Sequence, residues 1–391
     1  MITITIIEEV YRHMSIEIIP VRTKHDLNNF IKLPWKIYKE NNCWVPPLIN
    51  DLKKTLTPLI DPNTRNRQCE LYLGLLDGIP QARIFTGIDE TLNKKKNSKM
   101  GYFSMFECVN DIEITKAIFN KAFSWFFEND IEIVRGPVSI DGANRDENKG
   151  LLIDAFDKPP VLFNSYNPEY YKALLEAYGF EKDYDVFAYY LDKDKLFEEN
   201  TKKVIDYAKK KYNFRVDKFD LNNIDKEIID MKYILDLAVP DEWEDLESPT
   251  LDDIREIAKS LISFADPDLL TIARTNNDNT PIGFAVTLPD YNQVLIHLNG
   301  RINPISLLKF AWYKRKIDCA RIFIMFTIPE YRKKGVSFAI YYQIFLNGVK
   351  KGYTWGEGST IGENNHTMRT DIESMGGQKY KTYRIFRKNV D

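Results

Sequence analysis

Apolar and polar positions alternate along residues 15–22, the two-residue period of a half-buried strand. Residues 25–39 switch to helical spacing, with Pro34 predicting a break inside the helix. The run WVPPLI, 44–49, reads as extended, because a residue before proline is pushed out of the helical region. Two apolar runs then flank Asp77-Gly78, a hairpin signal. TLNKKKNSKM reads as a polar loop, GYFSMFECV as a strand, 112–129 as an aromatic-rich helix and IEIVRGPVSI as a strand. Residues 168–178 read as a helix stopped by Gly179, and VFAYYL as a strand.

The order then repeats. Residues 193–213 are charged, with Leu196, Val204, Ile205 and Tyr212 at apolar positions, and predict a connecting helix. FRVDKF is a strand, helices follow across 225–264, and LLTIARTNNDNTPIGFAVTL is strand, turn, strand. An insertion at 290–318 has no counterpart in the first half; its apolar run 305–312 suits a core helix or the wall of an acyl or lipid tunnel. RIFIMFTI, 337–351, TWGEGSTI, 364–375 and KYKTYRIF complete a strand–helix–strand–helix–strand series. This pattern predicts an α/β or α+β chain of two similar domains in tandem. Their bounds are 1–13 for an extension, 14–192, 193–213 for the connection and 214–391.

Composition narrows the function. Net charge is −3, from 54 basic and 57 acidic residues, so no global field favours nucleic acid. Four dispersed cysteines and four scattered histidines give no metal-ligand spacing. No apolar run is long enough to span a bilayer, and the first residues carry Glu8 and Glu9, which makes a poor signal peptide. Together these predict a cytoplasmic protein without an integral membrane segment.

The sharpest chemical signal is at 321–345. A nearly continuous apolar strand ends at Ile328, Pro329-Glu330-Tyr331 turns the chain, and Arg332, Lys333, Lys334, Gly335, Val336 and Ser337 open an apolar helix. Unpaired N–H groups at a helix start, the helix dipole and a glycine form an anion cradle, and the basic residues add charge. The spacing Arg332, Gly335, Ser337 resembles the Arg/Gln-x-x-Gly-x-Gly/Ala signature of the GNAT N-acetyltransferase superfamily, with serine replacing the last small residue. The stretches LPWKIYKENNCWVPPL, FECVND, RGPVS, SYNPEYY, DPDL, LPDYNQ, ENN and KYKTYRIF resemble uncharacterised bacterial tandem GNAT-like proteins. Some related bacterial N-acyltransferases act on long-chain lipid amines, an analogy at the level of the family.

The resemblance implies a mixed-sheet GNAT fold in each half, with acetyl-CoA or another acyl-CoA as donor and an amine as acceptor. It implies that the loop holds the pyrophosphate and that Phe326, Thr327 and Ile328 pair with the pantetheine arm. The first half offers Asn110-Asp111-Ile112-Glu113 at the matching place, acidic and glycine-free, which predicts a domain that lost the cofactor. Direct transfer to an amine needs a base and an acid. Glu357 is the first candidate base and Glu363 the second, with a capping role open for Glu363. Asn365 is a cap or a cofactor contact. The resemblance implies a tyrosine acid where Ile372 stands, a departure that also motivates a module without turnover; Tyr380 and Tyr383 are the candidate substitutes. Their odd spacing on a strand predicts that at most one faces the cleft. Asp290 and Asn292 are candidates for gripping a small-molecule or lipid amine. Three readings follow: an N-acyltransferase, a long-chain acyltransferase on a lipid or aminoacyl amine, and a CoA-binding module without turnover.

Overall fold

The computed structural model describes residues 15–60, 68–139, 149–198, 200–239, 248–262 and 264–390; the extension expected at 1–13 lies outside them. In chain order the first half runs β1 Ile16–Pro20, α1 Lys24–Ile37, α2 Ile49–Ile60, β2 Cys69–Leu76, β3 Ile79–Ile88, α3 Glu90–Lys96, β4 Met100–Cys108, α4 Ile112–Glu128, β5 Ile133–Gly136, β6 Leu151–Leu152, α5 Tyr171–Tyr178 and β7 Glu181–Asp192. The connecting helix is α6 Thr201–Lys211. The second half runs β8 Phe214–Lys218, α7 Ile224–Ala238, α8 Leu251–Leu261, β9 Leu270–Thr275, β10 Pro281–Pro289, α9 Asn292–Leu295, α10 Pro304–Lys314, β11 Cys319–Thr327, α11 Val336–Lys351, β12 Trp355–Gly362, α12 His366–Ser374 and β13 Gln378–Asn389.

Local chemistry explains where these elements depart from the pattern. Helix α1 runs through Pro34 instead of breaking. A proline cannot donate to the carbonyl four residues back, here Phe30, and the Arg83 guanidinium supplies that bond at 2.8 Å. The segment read as a polar loop forms α3, because Asp89 caps it at Leu92 N, Leu92 is buried and Asn97 ends it in the left-handed region. Asp77 and Gly78, both at positive φ, make the expected hairpin turn between β2 and β3.

Among the described residues all thirteen strands form one sheet, ordered β1-β2-β3-β4-β5-β13-β7-β12-β11-β10-β9-β8, with β6 paired to β13. Strands β4 and β5 are parallel, as are β11 and β12, at matching places in the two halves. The last strands are exchanged. β7, from the first half, pairs with β12, and β13, from the second half, pairs with β5. β7 and β13 pair with each other along most of their length.

The cores follow the exchange. Phe386 of β13 packs in the first-half core with Phe103, Phe119 and Phe180, beneath α4. Phe187, Tyr189 and Leu191 of β7 pack in the second-half core, with Ile340 and Ile344 of α11. Each half therefore completes the other's core. Polypeptides 1–198 and 199–391 are expected to lack cooperative unfolding when made separately and to recover it when made together, as read by circular dichroism on heating; a separately folded half would refute this.

Candidate active site

Strands β11 and β12 pair over four rungs, the last being Ile322 with Gly358, and then part to leave a fork. At its upper end the loop after β11 turns through Pro329–Tyr331, Lys333 and Gly335 take positive φ of 61° and 80°, and α11 begins at Val336. Glycine is favoured at 335 by that φ, and a Cβ there would lie 3.0 Å from Ala208 of α6, which would have to give way. The sixteen-residue α11 directs its first N–H groups at the loop. Arg332 turns inward, donating to the carbonyls of Thr327 and Ala238 at 3.3 and 2.8 Å, so it braces the loop against α7. Lys334 lies over the Tyr331 ring. The Ser337 hydroxyl meets Thr327 Oγ1 at 3.2 Å, tying the helix start to the strand, and Ile328 and Val336 are buried below.

On one face of the sheet below the fork lies a buried polar cluster. Glu357 of β12 is fully buried and stands opposite Arg321 of β11. Its Oε1 accepts from Asn164 Nδ2 and Ser359 Oγ, each at 2.5 Å, and its Oε2 accepts from Tyr380. Arg321 donates to the carbonyls of Leu162 and Ser359 at 2.6 and 3.1 Å. Lys381 Nζ donates to the carbonyl of Pro159 at 2.5 Å, and Asp290 accepts from the N–H groups of Leu162 and Asn292. Asn292 Nδ2 holds the carbonyl of Pro160 at 2.9 Å. Segment 159–164 of the first half thus roofs residues of the second. Two buried polar atoms there have no partner among the described residues: Asn164 Oδ1 and the Tyr383 hydroxyl.

Burial dominates the electrostatics. It raises the Asp290 carboxyl to about 7, with the charge of Glu357 adding to the rise and the Leu162 and Asn292 N–H groups opposing it. It lowers Lys381, against the pull of Glu357 and Asp290. Tyr380 and Tyr383 are held well above the ordinary phenol range by burial and by Glu357. A carboxyl near neutrality beside a buried amine and two phenols can exchange protons with a bound molecule.

The structure gathers Glu357, Tyr380, Tyr383, Asp290 and Asn292 at this cluster. It corrects the expectation that only one tyrosine reaches it. A bulge between Lys379 and Lys381 cancels one step of alternation, so Tyr380 hydrogen-bonds Glu357 while Tyr383 still feels its charge. Glu363 is not brought there; its carboxylate pairs with Lys182 at 2.7 Å, held outside the cluster beside Asp185. Asn365 caps α12, accepting from Met368 N. Asn164, Ser359, Arg321 and Lys381 were not singled out in the sequence. The signal for Arg321 was a cation within an apolar strand pattern; Lys381, one of five cations on β13, left none, nor did Asn164, whose role depends on a contact across 193 residues.

The matching slot of the first half is filled. Asp111 caps α4 by accepting from Glu113 N and Ile114 N, occupying the groups that an anion would use. At the end of β4, Tyr171 OH accepts from Cys108 N at 2.9 Å and Tyr170 OH donates to Cys108 O at 2.8 Å. Tyr171 and Tyr38 also donate to the buried Glu107. Tyr171→Phe strands these groups and is expected to cost about 2 kcal/mol in urea denaturation; an unchanged midpoint would count against the tyrosine plug. Asp290 gives a pH test. Between its ordinary 3.8 and about 7 the folded chain binds the extra proton, so its contribution to stability falls as pH rises through that window. Urea curves should show wild type losing on the order of 4 kcal/mol relative to Asp290→Asn across the window; parallel pH profiles would contradict the raised carboxyl.

No family model matches the sequence. The chain is 26% identical over 382 residues to a bacterial ceramide synthase of Caulobacter vibrioides, covering 96% of this chain and 97% of that one. It is 25% identical over 375 residues to protein YghO of Escherichia coli, covering 94% of each. Among solved structures, a tandem GNAT protein from the clavulanic acid biosynthesis pathway superposes with a TM-score of 0.56 at 10% identity, over 96% of this chain and 99% of that one. A GCN5-related N-acetyltransferase from Sphaerobacter thermophilus gives 0.52 at 10%, over 96% of each. The glucosamine N-acetyltransferase region of a fungal multi-domain beta-N-acetylglucosaminidase gives 0.57 at 12%, over 96% of this chain; the chain spans 38% of that longer protein. The forked parallel strands, the glycine-opened helix and these superpositions agree: the chain has the GNAT fold in its tandem form.

Proposed function

We propose that the chain is an acyl-CoA-dependent N-acyltransferase that works at the β11–β12 fork. One observation carries this reading: a helix start suited to an anion stands at the head of the fork, and a buried acid–base cluster stands at its foot. The N–H groups opening α11, with Lys333 and Lys334, would hold a pyrophosphate. The parted end of β11 would take the pantetheine arm as an added strand.

The residues divide the proton work. Asp290, near neutrality, removes a proton from the incoming ammonium, and Glu357 holds the orientation of Asn164, Ser359 and Tyr380. Asn164 Oδ1 is a spare acceptor for an amine N–H. The Tyr383 hydroxyl, without a partner among the described residues, donates to the leaving thiolate. Ile372, where the resemblance implies a tyrosine, is fully buried against Gly358, which leaves that step to β13.

Two observations favour a long acyl chain and a lipid amine over acetyl transfer to a small molecule. An apolar crevice, with a cavity volume of about 70 Å³, lies on the opposite face of the sheet, beneath α11. It is lined by Ile322 and Gly356 at the foot of the fork and by apolar groups including Phe197, Ile344 and Met375. The ceramide synthase relative, whose product is by its name an N-acylated lipid amine, supports the same choice. A cytoplasmic setting fits four free cysteines.

Calorimetry against CoA, acetyl-CoA and palmitoyl-CoA should show binding, tightest for palmitoyl-CoA. Arg332→Glu with Gly335→Asp is expected to weaken it by about tenfold or more; retained affinity would remove the loop from the site. Tyr383→Phe should keep affinity and lower turnover about a hundredfold or more. Binding with no acylation of any amine would leave a CoA-binding module.

A further inference from the structure

The apolar run 305–312, read from the sequence as a core helix or tunnel wall, is neither. In α10 Ser306 is the one buried residue, while Phe310 and Tyr313 are half-buried and anchor the helix. Phe310 stacks against Tyr291 at 6.0 Å and Tyr313 on His297 at 3.7 Å. The outer face presents Ile302, Ile305, Leu307, Leu308 and Trp312, exposed by 51, 68, 59, 74 and 61%. Five large apolar side chains within eleven residues form a patch, not the scattered exposure that every surface carries. Phe264, partly exposed, lies beside it, meeting Tyr291 edge-on at 5.5 Å.

Charge identifies the occupant. Residues 291–317 hold Arg301, Lys309, Lys314, Arg315 and Lys316 and no acidic residue, on a chain whose net charge is −3. The exposed apolar residues of α7, by contrast, share that helix with Asp225, Asp230 and Asp236. Lys316 lies 5.0 Å from the Trp312 ring, so the cation sits at the rim of the apolar face. An apolar face carrying a tryptophan and ringed by cations with long stems is the composition of a helix that lies in a lipid interface. The ring also disfavours a second copy, which would bring the same five cations against these.

We propose that α10 and its flanks dock the protein onto an anionic lipid bilayer, the helix lying in the plane of the headgroups. The insertion that bears it begins at Asp290, in the buried cluster, and its Ile296 and Asn299 line a cavity with Trp35, Tyr38 and Trp44. Docking would set the junction of the two halves against the lipid surface. The proposal rests on the exposed face and its charge, independently of acyl transfer.

The test is co-sedimentation of the full chain with vesicles of phosphatidylcholine containing phosphatidylglycerol, and with phosphatidylcholine alone. The expected result is binding to the anionic vesicles, weaker by about tenfold on neutral ones or in high salt. Leu308→Glu with Trp312→Glu should abolish it at an unchanged melting temperature, since both side chains are exposed. Lys309→Glu with Lys314→Glu and Lys316→Glu should remove the preference for anionic lipid. Absent vesicle binding, or equal binding by the Leu308→Glu, Trp312→Glu variant, overturns the proposal. So does a dimer in sedimentation equilibrium that this variant converts to a monomer, which would assign the face to a second copy.

Discussion

The antiparallel ladder between β7 and β13 is the joint on which the molecule depends. Each strand is the last of its half, and each completes the other half's sheet. A strand at a sheet edge exposes unpaired N–H and C=O groups, and pairing two such edges satisfies both rows at once. Because β13 crosses into the first half while β12 stays in the second, the joint also sets the cluster. Tyr380, Lys381 and Tyr383 arrive on β13, Glu357 on β12 and Arg321 on β11, and segment 159–164 roofs them from the first half. Neither half alone contains this arrangement of charges.

The halves share a topology and differ in what they do with the fork. In the first, tyrosine hydroxyls occupy the backbone groups at the end of β4, and an aspartate occupies the start of α4. In the second, a glycine opens α11 and the strands part over an apolar crevice. A buried backbone group must find a partner, and here the protein's own side chains supply it. The first half also supplies the roof of the second, through Asn164 and the carbonyls of Pro159 and Leu162.

The buried cluster combines two carboxylates, an amine and a guanidinium in a setting where isolated charges are costly. Every one of the four has a hydrogen-bonding partner, and each takes at least one from the roof segment 159–164. Burial, with the charge of Glu357 adding to it, puts Asp290 near neutrality and pushes the phenols up. The insertion that supplies Asp290 also carries the exposed face of α10, so one segment connects the interior charges with the surface.

Periodicity and turn chemistry are local, and they were largely legible; the Asp89 and Asn97 caps that turn the polar segment into α3 were not. The sequence alone determined the repeated order of strands and helices, the Asp77-Gly78 turn, the glycine-opened helix after β11 and the acidic turn at the start of α4. It also marked Glu357, Asp290 and both tyrosines. Partner choice is not local, and only the tertiary structure decided it. An alternating strand does not state which edge it will join, so the exchange of β7 and β13 was invisible. A bulge moves a side chain to the other face without altering composition, which brought Tyr380 to Glu357. Glu363 found Lys182 instead of the cleft, Arg83 rescued the helix at Pro34, and the apolar run of α10 faced outward. In each case the deciding energy is a contact between residues far apart in the chain, which no pattern of neighbours records.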